Sequence, residues 1–181
     1  MAYQDDIKKA AALLLPWNKL SGCNILVTGA TGLIGGCLVD VLMAHKGRNY
    51  NVYASGRNEE RAGRRFLKYA DDNAFHFVKY DVAQPLEYDV NFQYIIHAAS
   101  GAYPEEFIKH PVEVIKGNIN GLDNLMGYGI QHGIKRLLYI SSGEVYGEGD
   151  GRVFTENYSG YVDCTSLRSC YPSSKRAAET L

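Results

Sequence analysis

Short β-rich runs alternate with segments of helical periodicity along most of the chain. The runs are five or six residues long, and the segments between them repeat apolar side chains at the three- and four-residue spacing of a helix. Such alternation is typical of parallel strands joined by helices. We therefore predict an α/β fold with a parallel sheet flanked by helices. The predicted strands cover residues 24–28, 51–55, 75–79, 92–97 and 136–141.

The helical segments have less uniform boundaries than the strands. Apolar spacing predicts one helix directly after the first strand and a longer one over about 112–131. Asn58 is a good N-cap for a helix over roughly 59–70. A further amphipathic helix, about residues 4–15, precedes the first strand and ends at Pro16. We accordingly predict an N-terminal extension helix within residues 1–19 and the main domain over 20–181.

The segment from Gly147 to Cys170 is polar, glycine-rich and without clear periodicity. Connections of this length are uncommon in compact domains and are commonly functional. Residues 171–181 resume a helical pattern, and the chain stops there without a capping signal. We expect the main domain to be incomplete, ending within this helix.

Composition narrows the function classes. The 181 residues are 46% hydrophobic and 22% charged, which suits one compact globular domain. Nineteen Lys and Arg against twenty Asp and Glu give a net charge of -1, so no overall field favours nucleic acid or an anionic membrane. No apolar run near the start can span a bilayer, the N-terminus is acidic, and we predict a cytoplasmic protein. The cysteines and histidines are too scattered to predict a metal site.

Residues 28–35, Thr-Gly-Ala-Thr-Gly-Leu-Ile-Gly, follow the first strand and open a helix. Gly29 would allow a tight turn, Gly32 a close approach of the backbone to a pyrophosphate, and Gly35 close packing of the helix. The helix N-terminus would offer its unpaired N–H groups to the phosphates. This pattern predicts a Rossmann-like dinucleotide site, and the alternative is a tight turn without a ligand.

The end of the second strand bears on the choice of cofactor. Residues 54–58, Ala-Ser-Gly-Arg-Asn, include no acid to bind the ribose 2′-hydroxyl of NAD. Arg57, after Gly56, would instead meet a 2′-phosphate, which mildly favours NADP. The alternative is a solvated helix face balanced by acids. Its members would be Arg57, Arg61, Arg64, Arg65, Glu59 and Glu60. Nucleic-acid binding by this cluster is a weaker hypothesis, because the charge is local and balanced.

Two candidate groups for proton transfer lie near the end of the chain. Tyr171 and Lys175 are four residues apart, on one face of the last predicted helix. Upstream, residues 137–147 end a strand with a serine pair followed by Glu144. Parallel strands present such ends at the carboxyl edge of the sheet, beside the cofactor crevice. The spacing of Tyr171 and Lys175 is by itself a weak signal of a catalytic pair. The other motifs of the chain decide whether the pair is interpreted as catalytic.

Six motifs occur in a specific order. They are T-G-A-T-G-L-I-G at 28–35, Y-D-V at 80–82, H-A-A-S at 97–100, N-x-x-G at 118–121, S-S-G-E-V-Y-G at 141–147 and Y-P-S-S-K at 171–175. With them, residues 20–181 resemble the extended short-chain dehydrogenase/reductase family. Its members are NAD(P)-dependent nucleotide-sugar epimerases, dehydratases and decarboxylases. The resemblance implies a Rossmann domain truncated before the C-terminal substrate domain.

The resemblance also implies roles for individual residues. Tyr171 would take the proton of the sugar 4-hydroxyl while hydride leaves carbon 4 for NAD(P), and Ser142 would hydrogen-bond the same oxygen. Lys175 would also hold the nicotinamide ribose. The implied catalytic residues are Ser142, Glu144, Tyr171 and Lys175. The implied cofactor residues are Gly29, Thr31, Gly32, Leu33, Ile34, Gly35, Arg57, Asp81, Val82, Ala98, Ala99, Ser100, Asn118, Tyr171 and Lys175, with Asp81 near the adenine.

The branch of the family stays open. Dehydrating members typically carry Asp then Glu where this chain has Gly143 and Glu144, which puts dehydration in doubt and leaves Glu144 as a base or a structural acid. Residues 97–100, 168–171 and 175–180 are similar to the UDP-glucuronate decarboxylase branch, whereas 172–174 look more like epimerases.

The resemblance also implies partners for the whole protein. We expect a nucleotide-sugar substrate that needs the missing C-terminal part, and a homodimer of the full-length protein. This chain alone should bind NAD(P) weakly and turn over little. A non-catalytic NAD(P)-binding sensor or remnant module is the alternative.

Overall fold

The computed structural model describes residues 2–181 and contains one five-stranded sheet. All strands are parallel, in the order β3-β2-β1-β4-β5. Helices cover the sheet, so the predicted Rossmann-like α/β fold is confirmed. The strands are β1 Asn24–Thr28, β2 Asn51–Gly56, β3 Phe75–Lys79, β4 Tyr94–His97 and β5 Arg136–Tyr139.

The helices of the described residues agree with the periodicity except at two places. One short helix after β4 was not predicted, although Pro104 followed by two acids is a helix-start signal. The N-terminal helix is shifted, as described below. The helices are α1 Ala2–Ala11, α2 Leu33–Ala44, α3 Glu59–Phe66, α4 Pro104–Lys109, α5 Pro111–Gln131 and α6 Cys170–Thr180.

The chain changes direction in the sheet between β1 and β4. It builds outward from β1 through β2 to β3, then crosses back to place β4 on the other side of β1. In the pairing of β1 with β4, the last two residues opposite each other are Thr28 and His97. In open α/β sheets, ligands bind at such a switch point, outside the carboxyl ends of the strands. The loops after β1 and β4 meet there.

Both faces of the sheet are buried, which explains the nearly continuous apolar strands. One face packs Val27 and Val52 against helices α2 and α3. The other packs Leu26 and Ile95 against α5 and the segment around Phe92. Each fully buried side chain of this kind contributes about 1.5–3 kcal/mol of hydrophobic stabilisation. The core therefore fixes the strand ends that carry the candidate site.

The N-terminal helix α1 begins and ends earlier than the predicted 4–15. Its buried residues are Ile7 and Ala11, and Leu13–Leu15 beyond them are exposed. Those leucines have no core to pack against, and Pro16 disfavours helical backbone at the residue before it. The helix consequently ends at Ala11. The predicted extension 1–19 includes Met1, which lies outside the described residues, and the boundary at residue 20 stays a prediction.

A buried carboxylate on α2 attaches α1 to the domain. Tyr3 donates a hydrogen bond of 2.6 Å to Asp40, which also pairs with Arg65 at 2.5 Å and with Lys68 at 3.0 Å. Burial raises the pKa of Asp40, but hydrogen bonds from Arg65, Tyr3, Lys68 and Tyr69 more than offset it, so the pKa lies at about 2. The cluster therefore joins α1, α2 and α3 around one anion.

The predicted cap of α3 is confirmed. Asn58 Oδ1 accepts a hydrogen bond of 2.8 Å from the N–H of Arg61. The α-helix ends at Phe66 and a 3-10 turn continues through Tyr69, close to the predicted end. The long connection after β5 is irregular apart from short 3-10 turns. Among residues 2–181, no helix combines the length and apolar character that crossing a membrane requires.

Candidate active site

The loop between β1 and α2 leaves no space for side chains at two of its glycines. Gly29 has a φ of 66°, and a Cβ there would lie 2.6 Å from both Ala98 O and Ala99 N. A Cβ on Gly35 would collide with the carbonyl oxygen of Gly29. Gly29 thus lets the loop lie directly against the segment that follows β4, and Gly35 lets the first turn of α2 lie against the loop.

The N-terminus of α2 opens toward the same edge. Its N-cap is Gly32, and no side chain among residues 2–181 caps it. The side chains of Leu33 and Ile34 are exposed. The first backbone N–H groups of a helix have no partner within the helix and carry its positive dipole end. Because the glycines keep side chains away from these groups, the loop fits the pyrophosphate of a dinucleotide.

The end of β2 places Arg57 beside Asp81. Arg57 Nη1 lies 4.0 Å from Asp81 Oδ2, and the Arg57 side chain is 79% exposed. Asp81 Oδ1 also accepts a hydrogen bond of 3.1 Å from the N–H of Ala83. Thr31 lies next to Gly56, with its side chain 3.5 Å from where a Cβ would stand. Arg57 therefore reaches solvent at the β2 end, with its charge partly opposed by one carboxylate.

A chain of hydrogen bonds connects the loop after β4 to α5 and α6. Ser100 Oγ donates to Asn118 Oδ1 at 2.8 Å, and Asn118 Nδ2 donates to Ser174 Oγ at 2.9 Å. Ser174 Oγ in turn donates to Tyr171 O at 3.0 Å. Asn118 and Ser174 are buried. Asn118 therefore uses its amide to hold three segments together, and nearby Val82 packs against Gly121 of α5.

Tyr171 and Lys175 lie on the same side of α6, as their spacing predicts. Lys175 is only 1% exposed and its Nζ donates to Ile140 O at 2.9 Å. The same Nζ lies 4.4 Å from the ring centroid of Tyr139 and 5.8 Å from that of Tyr171. Burial lowers the pKa of Lys175 to about 8. The amine is therefore still mostly protonated at neutral pH, next to the Tyr171 ring.

Ser142 and Glu144 follow β5 at the same edge. Ser142 Oγ accepts the N–H of Glu144 at 3.2 Å, which leaves the serine hydrogen free to donate. Both carboxylate oxygens of Glu144 are held by Arg168, at 2.5 and 2.6 Å. These hydrogen bonds from Arg168 lower the pKa of Glu144. Glu144 and Arg168 line a cavity of about 460 Å³, which is also lined by Pro172 of α6.

Several contacts in this region cannot be found from spacing in the sequence. Thr28 Oγ1 and His97 Nδ1 are 2.7 Å apart, and burial, together with the charge of Lys175, lowers the pKa of His97 to about 4. The ring of Phe107 stacks on Tyr171 with a centroid distance of 4.7 Å. The first pair follows from the register of β1 and β4, and Phe107 lies on the unpredicted α4. The only sequence feature that points to Arg168 is the similarity of residues 168–171 to the UDP-glucuronate decarboxylase branch.

The sequence model of the NAD dependent epimerase/dehydratase family matches residues 25–181. Among curated relatives, UDP-glucuronic acid decarboxylase 6 of Arabidopsis thaliana is 37% identical over 164 residues, covering 89% of this chain and 46% of the relative. UDP-glucuronic acid decarboxylase 1 of Danio rerio is 33% identical over 159 residues, covering 87% of this chain and 36% of the relative. The chain thus spans less than half the length of these relatives.

Solved structures agree on the fold. The UDP-Glc/GlcNAc 4-epimerase of Campylobacter jejuni superimposes with a TM-score of 0.70 at 21% identity, covering 88% of this chain and 47% of that one. The dTDP-glucose 4,6-dehydratase of Bacillus anthracis, solved in complex with NAD, gives a TM-score of 0.68 at 22% identity, covering 88% and 49%. With the matched residues 25–181, the chain belongs to the NAD dependent epimerase/dehydratase family.

Proposed function

We propose that this chain carries the cofactor-binding and catalytic residues of an NAD(P)-dependent nucleotide-sugar enzyme that oxidises the sugar 4-hydroxyl, with decarboxylation of UDP-glucuronate as the favoured overall reaction. The observation that carries the proposal is the hydrogen bond from Lys175 Nζ to Ile140 O, which joins the helix of Tyr171 to the segment that carries Ser142, beyond the carboxyl end of β5. Relatives named UDP-glucuronic acid decarboxylases, 33–37% identical, support the branch.

The proposed cofactor site follows the switch point. The N–H groups at the start of α2 hold the pyrophosphate, Asp81 lies toward the adenine, and Lys175 holds the nicotinamide ribose. When bound, the nicotinamide supplies a hydride acceptor and donor for carbon 4 of the sugar. The family is NAD-dependent by name. Arg57 at the end of β2 supports the finer proposal of NADP, through a charge-assisted bond to its 2′-phosphate.

Proton transfer at the sugar 4-hydroxyl falls to three side chains. The Tyr171 phenol oxygen takes the proton, and Ser142 donates its free hydrogen to the same sugar oxygen. The Lys175 amine lies 5.8 Å from the centroid of the Tyr171 ring, so a positive charge stands beside the group that takes the proton. The stack of Phe107 on Tyr171 limits the positions that the phenol can take. These contacts hold the base in one place before a substrate arrives.

A ketone at carbon 4 makes a carbon 6 carboxylate the acid group of a β-keto acid. Breaking the bond between carbons 5 and 6 then releases CO2, and the electron pair moves into the carbonyl until carbon 5 takes a proton. Loss of water from carbon 6 would need an acid beside Glu144, where Gly143 offers none. The residue pattern therefore favours decarboxylation over dehydration. Residues 172–174 support 4-epimerisation as the second candidate.

The test is turnover of UDP-glucuronate by the protein as its gene encodes it, with NAD+ and NADP+ in parallel. We expect release of CO2 and formation of a UDP-pentose. Replacing Tyr171→Phe should lower the rate about 10²- to 10⁴-fold, because the proton acceptor is lost. Tyr94→Phe is the matched control, since Tyr94 lies at the opposite end of the sheet and bonds Lys19 O.

Other outcomes are equally specific. A 4-epimer without CO2 would replace decarboxylation by epimerisation. An unchanged cellular function of the Tyr171→Phe protein would favour a non-catalytic NAD(P) sensor. For the 181-residue chain alone we expect weak cofactor binding and little turnover, so a robust steady-state rate on any nucleotide sugar would contradict this expectation.

The proposal also includes a homodimer located in the cytoplasm. Sedimentation of the full-length protein measures its oligomeric state, and cell fractionation measures its location.

A further inference from the structure

Arg168 touches neither Ser142 nor Tyr171 but is connected to both. Its guanidinium binds both carboxylate oxygens of Glu144, and the N–H of Glu144 donates to Ser142 Oγ. On its other side, the Arg168 Cζ lies 5.9 Å from the ring centroid of Phe107. Phe107 stacks on Tyr171. One side chain thus links the segment after β5 to the start of α6.

The segment after β5 and the start of α6 are also joined by Lys175, whose Nζ donates to Ile140 O at 2.9 Å. Ser142 begins a 3-10 turn over Gly143–Tyr146, and Tyr171 lies at the start of α6, after the long irregular connection. Arg176 adds backbone contacts farther along α6, to Val145 O and Gly160 O. Arg168 differs from Arg176 in that it bonds the side chain of Glu144 and also packs near the ring that stacks on Tyr171.

We propose that Arg168 is a positioning residue that sets the distance between the Ser142 hydroxyl and the Tyr171 phenol. This inference rests on the proposed function, in which those two groups act on the same sugar oxygen. Arginine suits the position because its planar fork fits a carboxylate at two points, whereas lysine offers a single point charge. A flat guanidinium also packs on an aromatic ring.

The acidic residues around Glu144 make the position of its carboxylate depend on Arg168. The cavity that holds the pair is also lined by two further acids, Glu148 and Asp163. Without Arg168, the Glu144 carboxylate would lose both of the hydrogen bonds that hold it, in a cavity lined by two further acids. Both partners are partly exposed, 58% for the Arg168 side chain and 33% for Glu144. Such pairs add little to folding stability, so a substitution should leave the fold intact.

The first experiment measures turnover of the full-length protein with Arg168→Met and Arg168→Lys. We expect kcat to fall about 10- to 100-fold in Arg168→Met, because small displacements of reacting groups cost this much, while KM changes little. Arg168→Lys should recover part of kcat. Arg152→Met is the matched control, because Arg152 also pairs with an acid, Asp150, in the same connection but lies away from the cavity. An unchanged kcat, or a change in KM alone, would refute the proposal.

The second experiment needs no turnover. Amide hydrogen exchange of Glu144, followed by NMR, reports its bond to Ser142 directly. We expect Arg168→Met to speed this exchange several-fold, Arg168→Lys to speed it less, and Arg152→Met to leave it unchanged. Unchanged exchange in Arg168→Met would overturn the proposal whatever the rates are. Absence of turnover in the unsubstituted protein would instead remove the proposed function, with the exchange result still judging the contact.

Discussion

The glycine loop at residues 28–35 and the edge formed by residues 141–147 and 168–175 are neighbours in space but are built in different ways. In the loop, backbone meets backbone, and a Cβ on Gly29 would lie 2.6 Å from Ala98 O. At the edge, side chains that are distant in sequence meet, as Glu144 and Arg168 do. Adding a Cβ to the loop should therefore disrupt its packing, whereas the edge should be disrupted by removing a side-chain contact.

This difference separates stability from chemistry. The loop directly follows the core strand β1, which pairs with β4. A substitution that shifts the loop should therefore also displace β4 within the sheet. The edge includes buried residues such as Lys175, but the ion pair of Glu144 and Arg168 is partly exposed and adds little to the free energy of unfolding. Substitutions in the loop should lower stability and cofactor binding together. Substitutions at the edge should lower turnover while the protein stays folded.

The largest expected effect is that of Gly29→Ala. An L-residue at a φ of 66° costs about 1–2 kcal/mol, and forcing a Cβ against Ala98 adds about 1–3 kcal/mol. We expect a loss of roughly 2 to 5 kcal/mol in the free energy of unfolding, measured by urea denaturation, together with loss of NAD(P) binding.

Gly127→Ala is the control for that experiment. Gly127 lies on the exposed side of α5, where a Cβ would meet open space. Alanine should stabilise the helix there by roughly 0.5–1 kcal/mol. If Gly29→Ala unfolded at the same urea concentration as the unsubstituted protein, the loop would not be built on backbone contact, and the comparison would lose its basis.

His97 joins the two regions, since it bonds Thr28 of β1 and lies near Lys175 of α6. Its pKa is about 4 when folded, against about 6.5 when unfolded, so only the unfolded chain takes up the proton between these values. Stability from this group is present above pH 6.5 and is lost as the pH falls toward 4. By linkage, we expect a loss of about 2 kcal/mol between pH 7 and pH 5.

Urea denaturation of His97→Asn at the two pH values checks this. Asparagine keeps a polar atom near the position of Nδ1 but does not titrate, so the loss between pH 7 and pH 5 should largely disappear. His110→Gln, at an exposed position, should keep the full loss. Asp40, with a pKa of about 2, titrates below this range and does not disturb the measurement. An undiminished loss in His97→Asn would assign the acid sensitivity to another group.

The same division decides what the sequence could predict. Gly35 and the Asn58 cap follow from local spacing, because their partners are backbone atoms of the same loop or helix. Gly29 is indicated by the tight turn that it allows, although the backbone it meets, at Ala98, is distant in sequence. The pairing of Glu144 with Arg168 joins residues 24 apart through an irregular connection, and no periodicity indicates it. The early end of α1 depends on which leucines find a core, which is a tertiary property. Sequence patterns therefore predicted the sheet and its loop better than the contacts that arrange the catalytic edge.

Arg57 lies at the end of β2, next to the glycine loop, but acts through its side chain, and its substitution should have a mild effect. If Arg57 meets a 2′-phosphate, Arg57→Ala should weaken NADP binding about tenfold, or roughly 1.4 kcal/mol, and leave NAD binding nearly unchanged. Isothermal titration with both nucleotides measures the ratio. Arg61→Ala is the control, on the first turn of α3. Equal weakening of both nucleotides would make Arg57 a general charge, whereas no change in either would place it on a solvated face, paired only with Asp81 at 4.0 Å.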